Sequence, residues 1–121
     1  DKERLDEIKS ISSSLKNGFK RRASQAQILK SQLDSSPFPV IVAGDFNDTP
    51  VSYSYRKIRK GLFDSFVTSG YGAGFTYKGK YPPNRIDYIL YDNALECREL
   101  SIGKVKYSDH YPITAYFRKK N

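Results

Sequence analysis

The chain has 121 residues, of which 21 are Lys or Arg and 13 are Asp or Glu, for a formal net charge of +8. That is room for one domain, and 38% hydrophobic residues exclude disorder of the whole chain. A single cysteine, Cys97, excludes an internal disulfide, and apolar runs such as residues 40–43 are far too short to span a bilayer.

The basic surplus favours phosphates, nucleic acid or an anionic surface as partners, although a solvated basic face accounts for it almost as well. No signal-peptide pattern opens the chain. Methionine is absent at position 1 and everywhere else. The expectation is therefore a processed or excised chain, with part of its apparatus outside these residues.

Leu5, Ile8, Ile11 and Leu15 recur at helical spacing, which predicts a helix over residues 1–15. Ser12, Ser13 and Ser14 weaken its last turn, and Asn17-Gly18 predicts a stop. A second helix follows, with Phe19, Ala23, Ala26, Leu29 and Leu33 on one stripe, and ends before Pro37. Val40-Ile41-Val42-Ala43 then reads as a short strand buried on both faces. Residues 44–50 form the loop at its end. Ser52 is the expected N-cap of a short helix through Lys60, with Arg56, Lys57, Arg59 and Lys60 in its last turn and Gly61 just beyond.

Residues 70–74 are glycine-rich and predict a flexible loop; residues 75–77 predict a short strand and residues 78–84 another loop. Ile86, Tyr88 and Leu90 alternate with Asp87, Ile89 and Tyr91, the period of a strand. Residues 95–102 are a weaker strand candidate, and residues 104–112 a loop. Ile113, Ala115 and Phe117 mark a last strand before the basic tail. There is no internal repeat. The order is two helices, a strand, a helix and then mostly strands, a mixed α/β domain without regular βαβ repetition.

Three acidic residues fall where strands meet loops: Asp45, Asp87 and Asp109. Asn47 lies two residues after the first, and His110, the only histidine, follows the last. Polar groups at strand ends are where catalytic groups of layered α/β folds converge. Carboxylates with an amide suit Mg²⁺ or Mn²⁺, and one cysteine excludes a thiolate metal site. Taken singly, each residue also has an ordinary explanation. Gly-Asp at a strand end is a common turn, and Asp-His adjacency is frequent by chance. Asp87 is less ordinary, because a carboxylate beside Ile89 on a partly buried face needs a histidine, an arginine or a metal as partner.

Taken together, Gly44-Asp45-Phe46-Asn47, Arg85-Ile86-Asp87-Tyr88-Ile89 and Ser108-Asp109-His110-Tyr111-Pro112 closely resemble the signature of the endonuclease/exonuclease/phosphatase superfamily. That superfamily includes DNase I-like nucleases, abasic-site endonucleases, neutral sphingomyelinases and inositol polyphosphate phosphatases. The resemblance covers residues 39–117 in order. It implies that Asp45 orients and deprotonates the attacking water, and that Asn47 holds this water and a phosphate oxygen. It implies that His110, held by Asp87, stabilises the phosphoryl oxygens as charge builds, and that Asp109 belongs to the metal cluster with Asp45 as a second candidate ligand. Asn84 and Arg85 are candidate phosphate contacts. An Asp that fixes a histidine's tautomer and raises its pKa keeps it cationic, which suits developing negative charge.

The resemblance also implies the fold: the C-terminal half of a DNase I-like four-layer α/β sandwich. The strands at residues 40–43, 86–90 and 113–117 are expected in one mostly antiparallel sheet, with helices packed on one face. Residues 1–121 are then one partial domain, a helical segment over 1–36 and a motif-bearing half over 37–121. The superfamily's first half supplies a metal-binding Glu and an Asn that nothing here replaces. Glu3, Glu7, Glu96 and Glu99 are the only glutamates, none in a matching context. The tryptophan- and cysteine-containing motif of inositol 5-phosphatases is absent as well, which weakens the inositide reading.

The sequence thus points to metal-dependent phosphoester hydrolysis, with nucleic-acid phosphodiesters favoured. A phospholipid phosphodiesterase or phosphatase is the first rival, and a non-catalytic binding module that kept the fold is the second. The joint presence of Asp45, Asn47, Asp87, Asp109 and His110 argues against the second. Basic clusters at residues 20–22 and 56–60 suggest a nucleic-acid face, but a solvated helix surface explains them slightly better, because the tyrosines do not interleave with them at any fixed spacing. The chain alone is expected to be nearly inactive, and an uncovered apolar sheet face is expected to recruit the missing half or a second copy.

Overall fold

A computed structural model describes residues 1–80 and 82–121. Tyr81, within the predicted 78–84 loop, lies outside the described residues. The elements in chain order are α1 (Lys2–Asp34), β1 (Ile41–Asp45), α2 (Tyr53–Arg59), β2 (Phe63–Asp64), α3 (Ser65–Ser69), β3 (Asp87–Tyr91), β4 (Leu95–Ile102) and β5 (Ile113–Lys119).

The two expected opening helices are one. α1 runs through Asn17-Gly18 without a break, because a helix interior glycine costs only about 1 kcal/mol relative to alanine and its flanks propagate readily. Asp1 caps the start, its carboxylate accepting from the Glu3 N–H at 3.1 Å. Only the C-terminal half of α1 finds a core. There Ala26 is buried, and Leu29 and Leu33 pack beside it against Tyr55 and Ile58 of α2 and Tyr88 and Leu90 of β3. The predicted stripe Leu5, Ile8, Ile11 and Leu15 is real but stays more than half exposed.

β3 is the central strand of a three-stranded antiparallel sheet in the order β1-β3-β2. Its register with β1 pairs Ile41 with Tyr91, Ala43 with Ile89 and Asp45 with Asp87. Alternation sends Val42, Tyr88 and Leu90 to the helix-covered face. The partners Ala43 and Ile89, Asp45 and Asp87 share the other face. β1 is therefore not buried on both sides as expected: Ile41 is 50% exposed and Ala43 is exposed as well.

The single expected sheet is also divided. β5 pairs with β4, from Leu95 with Lys119 to Ile102 with Ile113, and the two form a separate antiparallel ribbon with an irregularity between Cys97 and Glu99. β5 takes as its partner the strand that precedes it in the chain, and β3 offers it no free edge. Both sides of β3 are taken, by β1 and by the two residues of β2. The ribbon docks through aromatic contact, Phe117 lying 5.1 Å from Tyr91 between ring centroids. Residues 75–77 form no strand, only isolated bridges from Tyr77 to Asn84 and His110.

α2 begins as expected, with the Ser52 hydroxyl accepting from the Tyr55 N–H at 3.2 Å, and Gly61 beyond its end takes φ +82°. Neither β2 nor α3 is foreseen by the hydrophobic pattern. Among the described residues no helix is long and apolar enough to cross a membrane.

Candidate active site

Asp45 ends β1 and Asp87 begins β3, and the antiparallel register sets them directly opposite each other. His110 arrives from the loop before β5. Its Nδ1 lies 2.9 Å from Asp87 Oδ2, and its Nε2 lies 3.7 Å from Asp45 Oδ2. A carboxylate only accepts, so Nδ1 carries the proton in the Asp87 bond. The second separation is too long for a hydrogen bond. Nε2 is thus left facing a gap beside Asp45.

The pKa of His110 is raised, first by its hydrogen bond to Asp87, with partial burial opposing and the charges of Asp87, Asp45 and Asp109 adding to the rise. The ring is further seated by Tyr77, edge-on at 5.4 Å between centroids. Asn47 completes the turn after β1. Its N–H donates to Asp45 Oδ1 at 2.7 Å, and it sits at φ +54°, a left-handed position that asparagine tolerates better than most residues. This turn orients the Asp45 carboxylate.

The structure therefore gathers Asp45, Asn47, Asp87 and His110 at one end of the sheet. One oxygen or nitrogen from each of Asp45, Asp87 and His110 lies within 4.8 Å of the others, a spacing that a metal ion could bridge. Asp109 stands apart from that trio. Its carbonyl accepts from the Lys78 N–H at 2.7 Å, and its side chain is exposed. A hollow of about 250 Å³ on the open sheet face is lined by Ala43, Asp45, Asp87, Ile89, Tyr111 and Ile113, among others.

Arg85 is placed differently from the expectation. Its guanidinium donates to Asp64 Oδ2 at 2.7 Å in a pair whose side chains are 10% and 1% exposed. It lies over the rings of Phe66 and Tyr88 at 4.8 and 5.1 Å. Tyr55 donates to the same Asp64 oxygen at 2.7 Å. This is a structural cation, committed to a buried carboxylate rather than open to a phosphate. Asn84 turns its side-chain amide to the Pro82 carbonyl at 3.0 Å. Tyr77 is the site neighbour that the sequence reading passes over; no local pattern marks it, because its contact with His110 is made across a loop.

Residues 12–110 match the Endonuclease/Exonuclease/phosphatase family. No curated protein sequence matches. Among solved structures, a conserved protein of unknown function from Enterococcus faecalis V583 superposes with a TM-score of 0.72 at 20% identity, over 82% of this chain and 44% of that one. A mannosyl-6-phosphatase from Bacteroides thetaiotaomicron VPI-5482 gives 0.63 at 23% identity, over 82% and 46%. The human Nocturnin catalytic domain with bound sulfate gives 0.62 at 23%, over 84% and 42%. The chain thus spans less than half the length of these structures, and the likeness is one of fold.

Proposed function

Because this chain belongs to the endonuclease/exonuclease/phosphatase family, we propose that it carries the water-activating and phosphate-binding residues of a metal-assisted phosphoester hydrolase. The observation that carries the reading is His110 held between two carboxylates, on Asp87 at 2.9 Å and facing Asp45 at 3.7 Å. Asp87 favours the charged form of the imidazole and aims it. Nε2–H donates to a phosphoryl oxygen as negative charge grows there. Asp45, oriented by the Asn47 N–H, takes the proton of the attacking water. Asn47 presents its amide to that water and to a phosphate oxygen.

The donor chemistry fits a hard divalent cation. Asp45, the exposed carboxylate of the Asp45–Asp87–His110 trio, would hold a Mg²⁺ or Mn²⁺ ion that keeps part of its water shell, and the exposed Asp109 beside His110 in the chain is the second carboxylate we propose for it. Such an ion, when bound, polarises the phosphoryl group and neutralises the leaving oxygen. The matched structures are more than twice as long as the aligned region. We place the remainder of such a domain on the open face that carries Ala43 and Ile89, and full activity depends on it.

Nucleic-acid phosphodiesters are the favoured substrate, supported by the net charge of +8. Phospholipid phosphodiesters and phosphomonoesters are the alternative, and the fold is shared with a mannosyl-6-phosphatase. The test is hydrolysis of a DNA oligonucleotide, sphingomyelin, bis-p-nitrophenyl phosphate and p-nitrophenyl phosphate, with Mg²⁺ and Mn²⁺ titrated. It is run on this chain and on one extended upstream. The extended chain is expected to turn over, and Asp45→Asn or His110→Ala to lower kcat by roughly 10²–10⁴-fold. No hydrolysis by the extended chain with either metal would overturn the hydrolase reading. Full turnover by the 121-residue chain, abolished by His110→Ala, would overturn the need for the remainder.

A further inference from the structure

The peptide joining Ile86 to Asp87 occupies an unusual place in the sheet. Its carbonyl accepts from the Phe46 N–H at 2.9 Å, toward β1. The N–H of the same peptide, that of Asp87, must point the opposite way, toward the β2 side. β2, however, reaches only Leu90 and Tyr91. An orphaned N–H beside a buried strand is costly, and here a side chain answers it. The Thr76 hydroxyl accepts from the Asp87 N–H at 3.1 Å and from the Ile86 N–H at 3.0 Å. A hydroxyl has two acceptor lone pairs, so one oxygen serves both amides.

Thr76 is 1% exposed, and its backbone reaches the other motif segment. Its N–H donates to the Asn84 carbonyl at 2.9 Å, and its carbonyl accepts from the Tyr111 N–H at 2.8 Å. One residue therefore holds the backbone on both sides of the Asp87–His110 contact. It grips Asp87 through the hydroxyl and the residue after His110 through the carbonyl. Tyr77 and Lys78 extend the same clip, Tyr77 bridging His110 and Lys78 donating to the Asp109 carbonyl at 2.7 Å.

We propose that Thr76 is a positioning residue of the site, its hydroxyl fixing the start of β3 so that the Asp87 carboxylate meets His110 Nδ1. Its importance for catalysis rests on the hydrolase reading above; its effect on geometry does not. A Thr→Val change keeps the shape and removes the acceptor, whereas Thr→Ser keeps the acceptor and removes a methyl. The experiment follows two signals in Thr76→Val and Thr76→Ser by NMR. One is hydrogen exchange of the Ile86 and Asp87 amides; the other is the hydrogen-bonded Nδ1 proton of His110.

In Thr76→Val the two amides are expected to exchange about 10-fold faster or more, with Val42 and Leu90 unchanged, and the His110 proton signal to weaken or vanish. Thr76→Ser is expected to retain both signals. Unchanged exchange of the two amides, or an unchanged His110 signal, in folded Thr76→Val would overturn the proposal. So would a Thr76→Ser protein that folds but loses both signals, and this arm decides the matter if the valine variant does not fold. No substrate enters the measurement, so a failed hydrolase assay and a failed positioning role are separate results.

Discussion

Asp45 and Asp87 face each other as direct partners across β1 and β3, two carboxylates at one end of the same sheet. Like charges in that position repel, and the neighbours each one has recruited are different. Asp87 is committed to His110, at 2.9 Å, while Asp45 accepts the Asn47 N–H and keeps its second oxygen toward the open gap. One carboxylate is thereby engaged with the histidine, and the other keeps an oxygen open, as the proposed roles of holder and base require. Their division of labour follows from which loop each strand runs into.

The pH dependence of the pair follows in sign. His110 lies above its ordinary pKa of 6.5 in the folded chain, chiefly through Asp87. The stability this contributes is fully present below the unfolded value and is lost as pH rises through the raised folded one. Asp87→Asn should bring the His110 pKa down toward its ordinary value and remove that part of the pH dependence. The chain has one histidine, so its ring signals in an NMR titration are unambiguous. An unchanged pKa in Asp87→Asn would show that the hydrogen bond does not set it.

Arg85 gives a prediction that separates two roles. Arg85→Met leaves the Asp64 carboxylate buried with the Tyr55 hydroxyl on it but no counter-charge. Breaking a buried pair in this way costs about 3–5 kcal/mol, read as a lower urea midpoint. Any folded population should retain the KM of the parent for a phosphoester. A raised KM with unchanged stability would return Arg85 to the phosphate site.

The contrast between Arg85 and His110 also explains what the sequence could disclose. Asp45, Asp87 and His110 are legible because strand ends and motif order are local facts. The partners of Arg85 are Asp64, Phe66 and Tyr88, brought together only by β2, α3 and β3. Two residues of strand carry no period to detect. Asp64 did carry a helix-start signal, accepting from the Phe66 N–H at 3.0 Å, and that signal could have located α3. The unbroken α1 was hidden because Asn17-Gly18 is a stop only when flanking propensity is weak. The division into two sheets was hidden because strand pairing is a relation between distant segments, and no single strand encodes its partner.

Metal removal should affect activity and leave the fold intact. The carboxylates offered to a cation are exposed at Asp45 and Asp109, whereas the core is built from Ala26, Tyr55, Ile58, Leu62, Tyr88 and Leu90. A chelator is therefore expected to abolish hydrolysis by the extended chain while its melting curve stays where it was at the same ionic strength. Loss of the cooperative melt on chelation would mean that the ion is structural.

The choice of substrate is decided by salt. A polyanion bound through several phosphates releases counterions, and log K falls with log salt at a slope of about −0.9 per neutralised phosphate on duplex DNA. Three such contacts give a slope of about −2.7, so raising salt from about 50 to about 200 mM weakens binding roughly 40-fold. A phosphomonoester has one phosphate to lose, and its KM should move only a few-fold over the same range. Lys78 is exposed and its N–H donates to the Asp109 carbonyl at 2.7 Å, which makes it the nearby cation to test for a contact with a phosphate beside the one being cut. Lys78→Ala should reduce the steepness of the DNA salt dependence by about one unit without altering turnover of p-nitrophenyl phosphate. A flat salt response for DNA in the parent, together with efficient turnover of the monoester, would replace the nuclease assignment with a phosphatase one.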